Sequence, residues 1–390
     1  MGRPGAGFPL YRGAICPFNH SDCLGMSGEG SIGMTDYVVD LEELGRASVT
    51  QAGGKGALLG ELLARGVPVP RGFCLTTRAY DDFLESSGLM AKVNEIRHLP
   101  LGQEALDAAD AIRSKITEAS IPAQVAVTLS TLYRSLGQRP RVAVRPSLAY
   151  DDQLRSPVAG AIEPHLNVSG EKELFQAVRD TWAAIWQARV IELCRAAGID
   201  HAALKPAVIM QVMVHPLCSG TLFTADPGTG DRDRLVLTAH WGTSQGARSG
   251  QLAPDTYHVD RETLNLRYKR IVTKEVMVST SGFVPVPKNR RNSPVLKDSQ
   301  IRELCTMALG VEQIIGEPAE VEWCQISSGE ILVLEAMPVG EIEPMPARSP
   351  EPESSSWEAP SSPSWDEGAG EDDAEDPSPR NEGEPERASP

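Results

Sequence analysis

The feature that most constrains the fold is an apolar run of strand length at residues 208–214. Only Gln211 interrupts this run, and the pattern is typical of a central strand that is buried on both faces. Residues 235–237 and 331–334 have the same character. These runs predict a sheet inside a substantial core.

Two other segments have the spacing of amphipathic helices. One contains an apolar stripe directly after Gly53-Gly54-Lys55: Ala57, Leu58, Leu62 and Leu63. The other, over residues 171–197, repeats an apolar side chain at every fourth position: Val178, Trp182, Trp186, Val190 and Cys194. Strands and helices together predict a mixed globular domain between residues 35 and 340.

Residues 320–337 predict a hairpin with a charged face. The first strand alternates so that Glu322 shares a face with its neighbours two positions away, and residues 327–329 are a turn signal. If the turn centres near residue 328, Glu335 lies within one residue of facing Glu322. Two facing carboxylates repel each other unless a cation separates them, and Mg²⁺ bound with nucleotide phosphates would resolve that conflict. The pattern alone leaves open an exposed hairpin with a polar, solvated face.

Two further segments contain groups that favour phosphate. Gly53-Gly54-Lys55-Gly56 precedes a helix, where backbone N–H groups and a lysine both attract an anion, although the spacing is not that of a Walker loop. The strand pattern at residues 141–145 presents Arg145, whose guanidinium suits bidentate phosphate binding. Taken alone, the glycine turn is a common one, and a surface salt bridge is the better interpretation of Arg145.

The two ends of the chain differ from this domain in composition. Residues 1–34 are interpreted as a flexible leader, in which Cys16, His20 and Cys23 leave open a zinc site that lacks a fourth ligand. Residues 341–390 contain 15 Asp or Glu and 3 Lys or Arg, and they carry −12 of the formal net charge of −16. This segment is predicted to be a disordered acidic tail, either simply solvated or bound to a protein partner.

Charge, hydropathy and cysteine usage argue against several classes of protein. Without the acidic segment the chain is only mildly acidic, so we expect no nucleic-acid binding. No run reaches the ~18 apolar residues of a membrane helix, and no apolar stretch follows the N-terminus as in a signal peptide. Seven scattered cysteines do not fit a disulfide framework. We therefore expect a cytoplasmic protein that does not bind membranes.

Five short motifs follow one another between residues 37 and 340. They are Gly53-Gly54-Lys55 with VPRGFCLTTRAY at residues 69–80, VRPSLAYDD at 144–152, GTLFTADPGTG at 220–230, SGQLAPDTYHVD at 249–260 and VEWCQISSGEILVLEAMP at 321–338. In this order they resemble the ATP-binding domain of phosphoenolpyruvate synthase, pyruvate phosphate dikinase and rifampicin phosphotransferase. The resemblance implies an ATP-grasp fold, in which two α+β lobes at about residues 35–205 and 206–340 clamp ATP.

The resemblance also implies roles for individual residues. Lys55 and Arg145 would contact the phosphates, while Glu322 and Glu335 would hold Mg²⁺, which agrees with the hairpin pattern. The adenine pocket would be lined, partly through backbone groups, by a stretch at the end of the long apolar run: Gln211, Met213 and Val214.

The chain departs from the family pattern at several of these positions. The family glutamine at 335 is Glu335, which can still bind Mg²⁺. The family arginine at 337 is Met337, and losing one such electrostatic donor commonly costs on the order of 10²–10³ in rate. Residues 146–149, 159–161 and 242–245 depart from the family's SSAT, AGQ and GLGE segments. No catalytic residue is therefore assigned with assurance.

Full-length relatives carry a domain whose histidine accepts the phosphoryl group and another that binds the acceptor, and residues 341–390 resemble neither. We therefore expect an ATP- and Mg²⁺-binding protein related to these phosphotransferases, whose activity is weak or depends on another chain. Two alternatives stay open. One is a pseudoenzyme scaffold that recruits a partner through the acidic tail, and the other is a regulatory module that binds ATP without turnover.

Overall fold

The computed structural model of the protein describes residues 36–96, 99, 102–150, 158–243, 252–280 and 282–339. The leader and the acidic tail lie outside the described residues, and with them the predictions of flexibility, of zinc at Cys16, His20 and Cys23, and of a partner-binding segment. Within the described part, no helix has both the length and the apolar character needed to cross a membrane.

The first half of the domain is built on a five-stranded antiparallel sheet. Its strands, in sheet order, are β1 (Val38–Asp40), β2 (Gly72–Leu75), β5 (Lys205–Val212), β3 (Arg141–Ala149) and β4 (His165–Ser169). β5 lies between β2 and β3, and its residues from 206 to 211 are all buried. The predicted central strand is confirmed, although it ends at Val212 and leaves Met213 and Val214 in the following connection.

Helices cover this sheet. In the described residues of the first half they are α1 (Val49–Ala64), α2 (Thr77–Ser86), α3 (Met90–Ile96), α4 (Gln103–Glu118), α5 (Ala123–Ser135), α6 (Glu171–Ala184) and α7 (Ala188–Ala196). Trp182 of α6 is completely buried, and its ring lies 4.9 Å from that of Phe83. Burying a large apolar side chain of this kind contributes about 1.5–3 kcal/mol.

The helix predicted over residues 171–197 is in fact two helices. α6 ends at Ala184 and α7 begins at Ala188. In the turn between them the indole N–H of Trp186 donates to Tyr80 Oη (2.9 Å), which fixes the turn against α2. All five side chains of the predicted stripe are buried. The spacing thus identified the buried face, but it carried no information about the break in the backbone.

The second half is built on a six-stranded antiparallel sheet. Its strands, in sheet order, are β13 (Ile331–Pro338), β12 (Ala319–Ile326), β6 (Pro216–Phe223), β7 (Arg234–Trp241), β8 (Asp255–Asp260) and β9 (Leu266–Arg270). β10 (Val276–Ser279) and β11 (Gly282–Pro285) form a separate two-stranded ribbon. One face of the large sheet is covered by α8 (Asp298–Ile315), whose Leu304 and Val311 share a core with Val321 and Trp323.

The apolar face of α1 belongs to the core of the second half. Leu58, Leu59 and Leu62 are buried in the same cluster as Val333 of β13. The backbone N–H of Val333 also donates to the carbonyl of Pro68 (2.8 Å), in the segment that follows α1. An N-terminal helix is therefore covered by the last strand of the domain.

The two halves divide at a different place from the boundary predicted near residue 205. β5 begins at Lys205 and pairs along its length with β2 and β3, so it belongs to the first sheet. The change of sheet falls between Val212 and Pro216. The apolar pattern showed that β5 is buried, but strand partners depend on backbone pairing that the pattern does not encode. The α+β class and the two lobes predicted for an ATP-grasp fold are confirmed.

Candidate functional site

The glycine turn before Lys55 is a kink inside α1. Gly53 has φ 70° and ψ 169°, so the helix proper starts again at Gly54 and Lys55 lies in its first turn. These dihedrals are essentially restricted to glycine. A Cβ at Gly53 would also lie 2.3 Å from the carbonyl oxygen of Ser147. The turn is therefore pressed directly against β3.

Ser147 fastens this turn to β3 through its side chain. Its buried hydroxyl donates to the Ala52 carbonyl (2.6 Å) and accepts from the Gly56 N–H (3.0 Å). That N–H belongs to the first turn of the restarted helix, where amide groups have no partner within the helix. Arg145 lies two residues before Ser147 and thus on the same face of β3. The anchor therefore places Lys55 and Arg145 side by side.

The hairpin brings Glu322 and Glu335 opposite each other. They are direct cross-strand partners, and a β-bulge separates them from the next pair, Trp323 and Val333. Leu334 is the extra residue in the bulged strand, and it returns Glu335 to the face of Glu322. Both carboxylates are buried, each with 5% of its surface exposed. The predicted facing of these two glutamates is confirmed.

Lys55 and Arg145 both reach Glu335 across the two lobes. Lys55 Nζ lies 2.5 Å from Glu335 Oε1, and Arg145 Nη1 donates to Glu335 Oε2 at 2.9 Å. The side chains of Lys55 and Arg145 are only 14% and 11% exposed. We call Lys55, Arg145, Glu322 and Glu335 the cation–carboxylate cluster. The salt bridge preferred for Arg145 from sequence exists, but it is buried and joins the two halves.

The predicted adenine-binding residues lie at the end of β5. Gln211 is buried and its Nε2 donates to the Pro70 carbonyl (3.3 Å). Met213 and Val214 are half-buried in the connection between the sheets, and the Met213 N–H is already bonded to the Arg141 carbonyl (2.8 Å). Gln211 is the cross-strand partner of Ala143, two residues before Arg145, so it lies on the strand adjacent to one member of the cation–carboxylate cluster. Met213 and Val214 lie beyond the end of that strand.

A buried thiol lies near the cluster. Cys324 follows Glu322 by two positions on β12, and burial raises its pKa to about 12 although Arg145 acts in the opposite direction. The thiol is therefore neutral at ordinary pH. It adds no charge and no nucleophile to the cluster.

The family model of the pyruvate phosphate dikinase AMP/ATP-binding domain matches residues 49–355. The chain belongs to this family. The probable phosphoenolpyruvate synthase of Methanothermobacter thermautotrophicus is 33% identical over 318 residues, which cover 78% of this chain and 46% of that protein. The rifampicin phosphotransferase of Streptomyces sviceus is 32% identical and covers 78% of this chain and 36% of its own length. The chain thus spans less than half the length of either relative.

A solved structure of D-alanine-D-alanine ligase from Coxiella burnetii aligns with 75% of this chain and 49% of its own. The identity is 12% and the TM-score is 0.28.

Within this pyruvate phosphate dikinase-type domain, the residue at the position of the family arginine faces a carboxylate. Met337 is half-buried and is the cross-strand partner of Glu320, two positions along the same strands from Glu335. The altered AGQ segment forms a short 3-10 helix at Ala159–Ala161. Of the altered GLGE segment, Gly242 and Thr243 are described, and the Thr243 N–H donates to the Val278 carbonyl (2.7 Å).

Two cavities lie away from the cluster. One of about 490 Å³ is lined by charged residues that include Asp260 and Arg267. The other, of about 370 Å³, is lined in part by His240, whose pKa is lowered from 6.5 by burial so that the ring is neutral at pH 7. Neither lining includes a member of the cation–carboxylate cluster. The side chains of Lys55, Arg145 and Glu335 are 14%, 11% and 6% exposed, so they form a buried contact between the lobes.

Glu322 and Glu335 are the candidates for holding a metal ion in this domain. In the described ranges, no group of three or more His, Cys, Asp or Glu side chains is arranged around a common metal position. Glu322 and Glu335 supply two buried carboxylates on one face of the sheet, and Mg²⁺ commonly combines one or two carboxylates with substrate phosphates and water. The pair therefore fits a magnesium ion that arrives together with a nucleotide.

Sequence reasoning missed two contacts of this site. It did not predict that Ser147 anchors the glycine turn. It assigned Lys55 and Arg145 to phosphate and Glu335 to a metal ion, but it did not predict the ion pairs between them. A polar residue inside an apolar strand was the only available signal for Ser147. No local signal connects Glu335 with Lys55, because the contact spans most of the domain.

Proposed function

We propose that this domain binds ATP together with Mg²⁺ between its two lobes. Lys55 and Arg145 would bind the phosphates, and Glu322 and Glu335 would hold the metal. The observation that carries the proposal is the convergence of these four side chains from α1, β3, β12 and β13 at one buried place. Membership of the pyruvate phosphate dikinase AMP/ATP-binding family supports it independently.

The chemistry of each group suits its proposed ligand. Arginine and lysine form charge-assisted hydrogen bonds with phosphate, and the first turn of the restarted helix adds favourable N–H groups. Facing carboxylates are stabilised by a divalent cation, which also neutralises phosphate charge during phosphoryl transfer. Gln211, Met213 and Val214 would lie beside the adenine. The Met213 N–H already donates to the Arg141 carbonyl, so other groups would form the hydrogen bonds to the base.

Phosphoryl transfer by this domain would be weak, or would use an acceptor histidine from another chain. Met337 is the reason for the first expectation, because it replaces a cation near the reacting phosphate. The names of the relatives, phosphoenolpyruvate synthase and rifampicin phosphotransferase, favour kinase-type chemistry. We also propose a reducing, cytoplasmic location, since Cys74, Cys194, Cys218, Cys305 and Cys324 are buried free thiols.

Calorimetric titration of the full chain with ATP, with and without magnesium, tests the proposal. We expect saturable binding that is tighter when magnesium is present, because the metal would neutralise the facing carboxylates. Absence of binding across the millimolar range in both buffers would overturn the proposal and leave the fold as a scaffold only.

The pseudoenzyme alternative rests on Met337 and makes a different prediction. If the rest of the site is competent, Met337→Arg should raise ATP hydrolysis by on the order of 10²-fold, because a guanidinium would lie opposite Glu320 and near the phosphates. Steady-state phosphate release is the measurement. Met337→Leu is the matched control, since it keeps an apolar side chain. Unchanged hydrolysis in a Met337→Arg protein that still binds ATP would favour the scaffold or regulatory alternative.

A further inference from the structure

The Glu335 carboxylate sits where a phosphate group would be expected to bind. One oxygen is paired with Lys55 Nζ at 2.5 Å, and the other accepts a hydrogen bond from Arg145 Nη1 at 2.9 Å. A phosphate presents its oxygens to lysine and arginine in the same way. The protein thus supplies its own anion to both cations that we assign to nucleotide phosphates.

The surroundings make this internal pairing strong. The Glu335 side chain is 6% exposed, and both cations are nearly as well buried, so salt and water screen the attraction poorly. Removing one partner from a buried ion pair leaves an uncompensated charge, which is strongly unfavourable. A nucleotide that enters without a metal would have to displace Glu335 and leave its carboxylate buried beside that of Glu322.

A divalent cation changes this balance. If Glu322 and Glu335 held a divalent cation, the charge of Glu335 would be compensated, and Lys55 and Arg145 would be available to phosphate. Each of the four side chains would then face a group of opposite charge. At position 335 the family motif has glutamine, whose neutral amide would compete with phosphate far less.

We propose that Glu335 is an internal competitor for the phosphate site, and that it makes nucleotide binding conditional on a divalent cation. This inference rests on the proposed function, because it needs ATP to bind at the cation–carboxylate cluster. Metal and nucleotide are then coupled, so each raises the affinity for the other by the same factor. Glu335 thereby selects the metal complex of the nucleotide over the metal-free form.

Glu335→Gln tests the competition directly. In EDTA the variant of the full chain should bind ATP about tenfold more tightly than wild type, and magnesium should improve its affinity less than it improves that of wild type. Calorimetry in EDTA and in magnesium buffer measures both quantities without any turnover. Glu312→Gln is the matched control. It removes a carboxylate of α8 that pairs with Arg261, and the variant should bind ATP like wild type in both buffers.

A second measurement uses wild type alone and does not depend on the folding of a variant. In EDTA, ATP and adenosine should bind with affinities within about threefold of each other, since the phosphates would find both cations occupied. In magnesium buffer, ATP should bind at least about tenfold more tightly than adenosine.

The outcomes separate this inference from the function beneath it. If wild type binds ATP in magnesium but Glu335→Gln leaves the affinity in EDTA unchanged, or if wild type in EDTA already prefers ATP over adenosine by tenfold, the competition is refuted and the nucleotide site survives. If wild type binds no ATP in either buffer, the proposed function itself fails and the inference fails with it.

Discussion

Replacing Lys55 and Glu322 together by alanine should abolish measurable magnesium-dependent binding of ATP. The double substitution removes one cation that we propose to bind phosphate and one carboxylate that we propose to bind the metal, from opposite lobes. Charge-assisted hydrogen bonds contribute about 1.5–3 kcal/mol each, so two lost contacts correspond to a loss on the order of 100-fold or more in affinity. Calorimetric titration with ATP in magnesium buffer measures this loss.

The control for this prediction removes an ion pair of the same charge types from the surface. Lys205 Nζ lies 2.6 Å from Asp81, with the two side chains 48% and 34% exposed. Exposed pairs contribute little to stability, so Lys205→Ala with Asp81→Ala should bind ATP like wild type and melt at a similar temperature. Unchanged ATP affinity in the Lys55 and Glu322 double variant would show that the cation–carboxylate cluster is not part of the nucleotide site.

Gly53→Ala should destabilise the domain by about 2–6 kcal/mol. The backbone at Gly53 lies in a region that is essentially restricted to glycine, which costs about 1–3 kcal/mol for another residue. The added Cβ would also lie 2.3 Å from the Ser147 carbonyl oxygen, and overpacking of this kind costs about 1–3 kcal/mol more. Denaturant unfolding of the full chain measures the change in the free energy of unfolding.

Gly66→Ala separates these two contributions. Gly66 also has a positive φ, of 79°, but a Cβ there would meet nothing within 4 Å. It should therefore lose only the conformational term of about 1–2 kcal/mol. Equal destabilisation by the two substitutions would show that the close approach of α1 to β3 is not maintained in solution.

Patterns within one element predicted the structure well. The hairpin could be predicted because a short turn joins the two adjacent strands that carry Glu322 and Glu335. The bulge at Leu334 was not predicted. β5 could be predicted as a buried strand because the consecutive apolar positions 208–210 indicate burial on both faces. Both are local inferences, in which the side chains that decide the result lie close together in the chain.

Inferences across elements were weaker. The ion pairs of Glu335 with Lys55 and Arg145 depend on how α1 and β3 meet the hairpin, and no local pattern encodes that meeting. At Trp186 the repeating pattern predicted burial correctly but missed the end of the helix. There the indole N–H donates to Tyr80 in the turn between α6 and α7. The division of the lobes was misplaced at Lys205 because pairing partners, rather than burial, decide which sheet a strand joins.

The covering of α1 by β13 has a consequence for how the chain acquires its fold. During synthesis Leu58, Leu59 and Leu62 emerge long before Val333, which completes the core that contains them. Contacts between such distant segments form slowly, and apolar surface left exposed in the meantime promotes aggregation. The apolar face of α1 therefore gains its full cover only after β13, the last strand of the domain, has been synthesised.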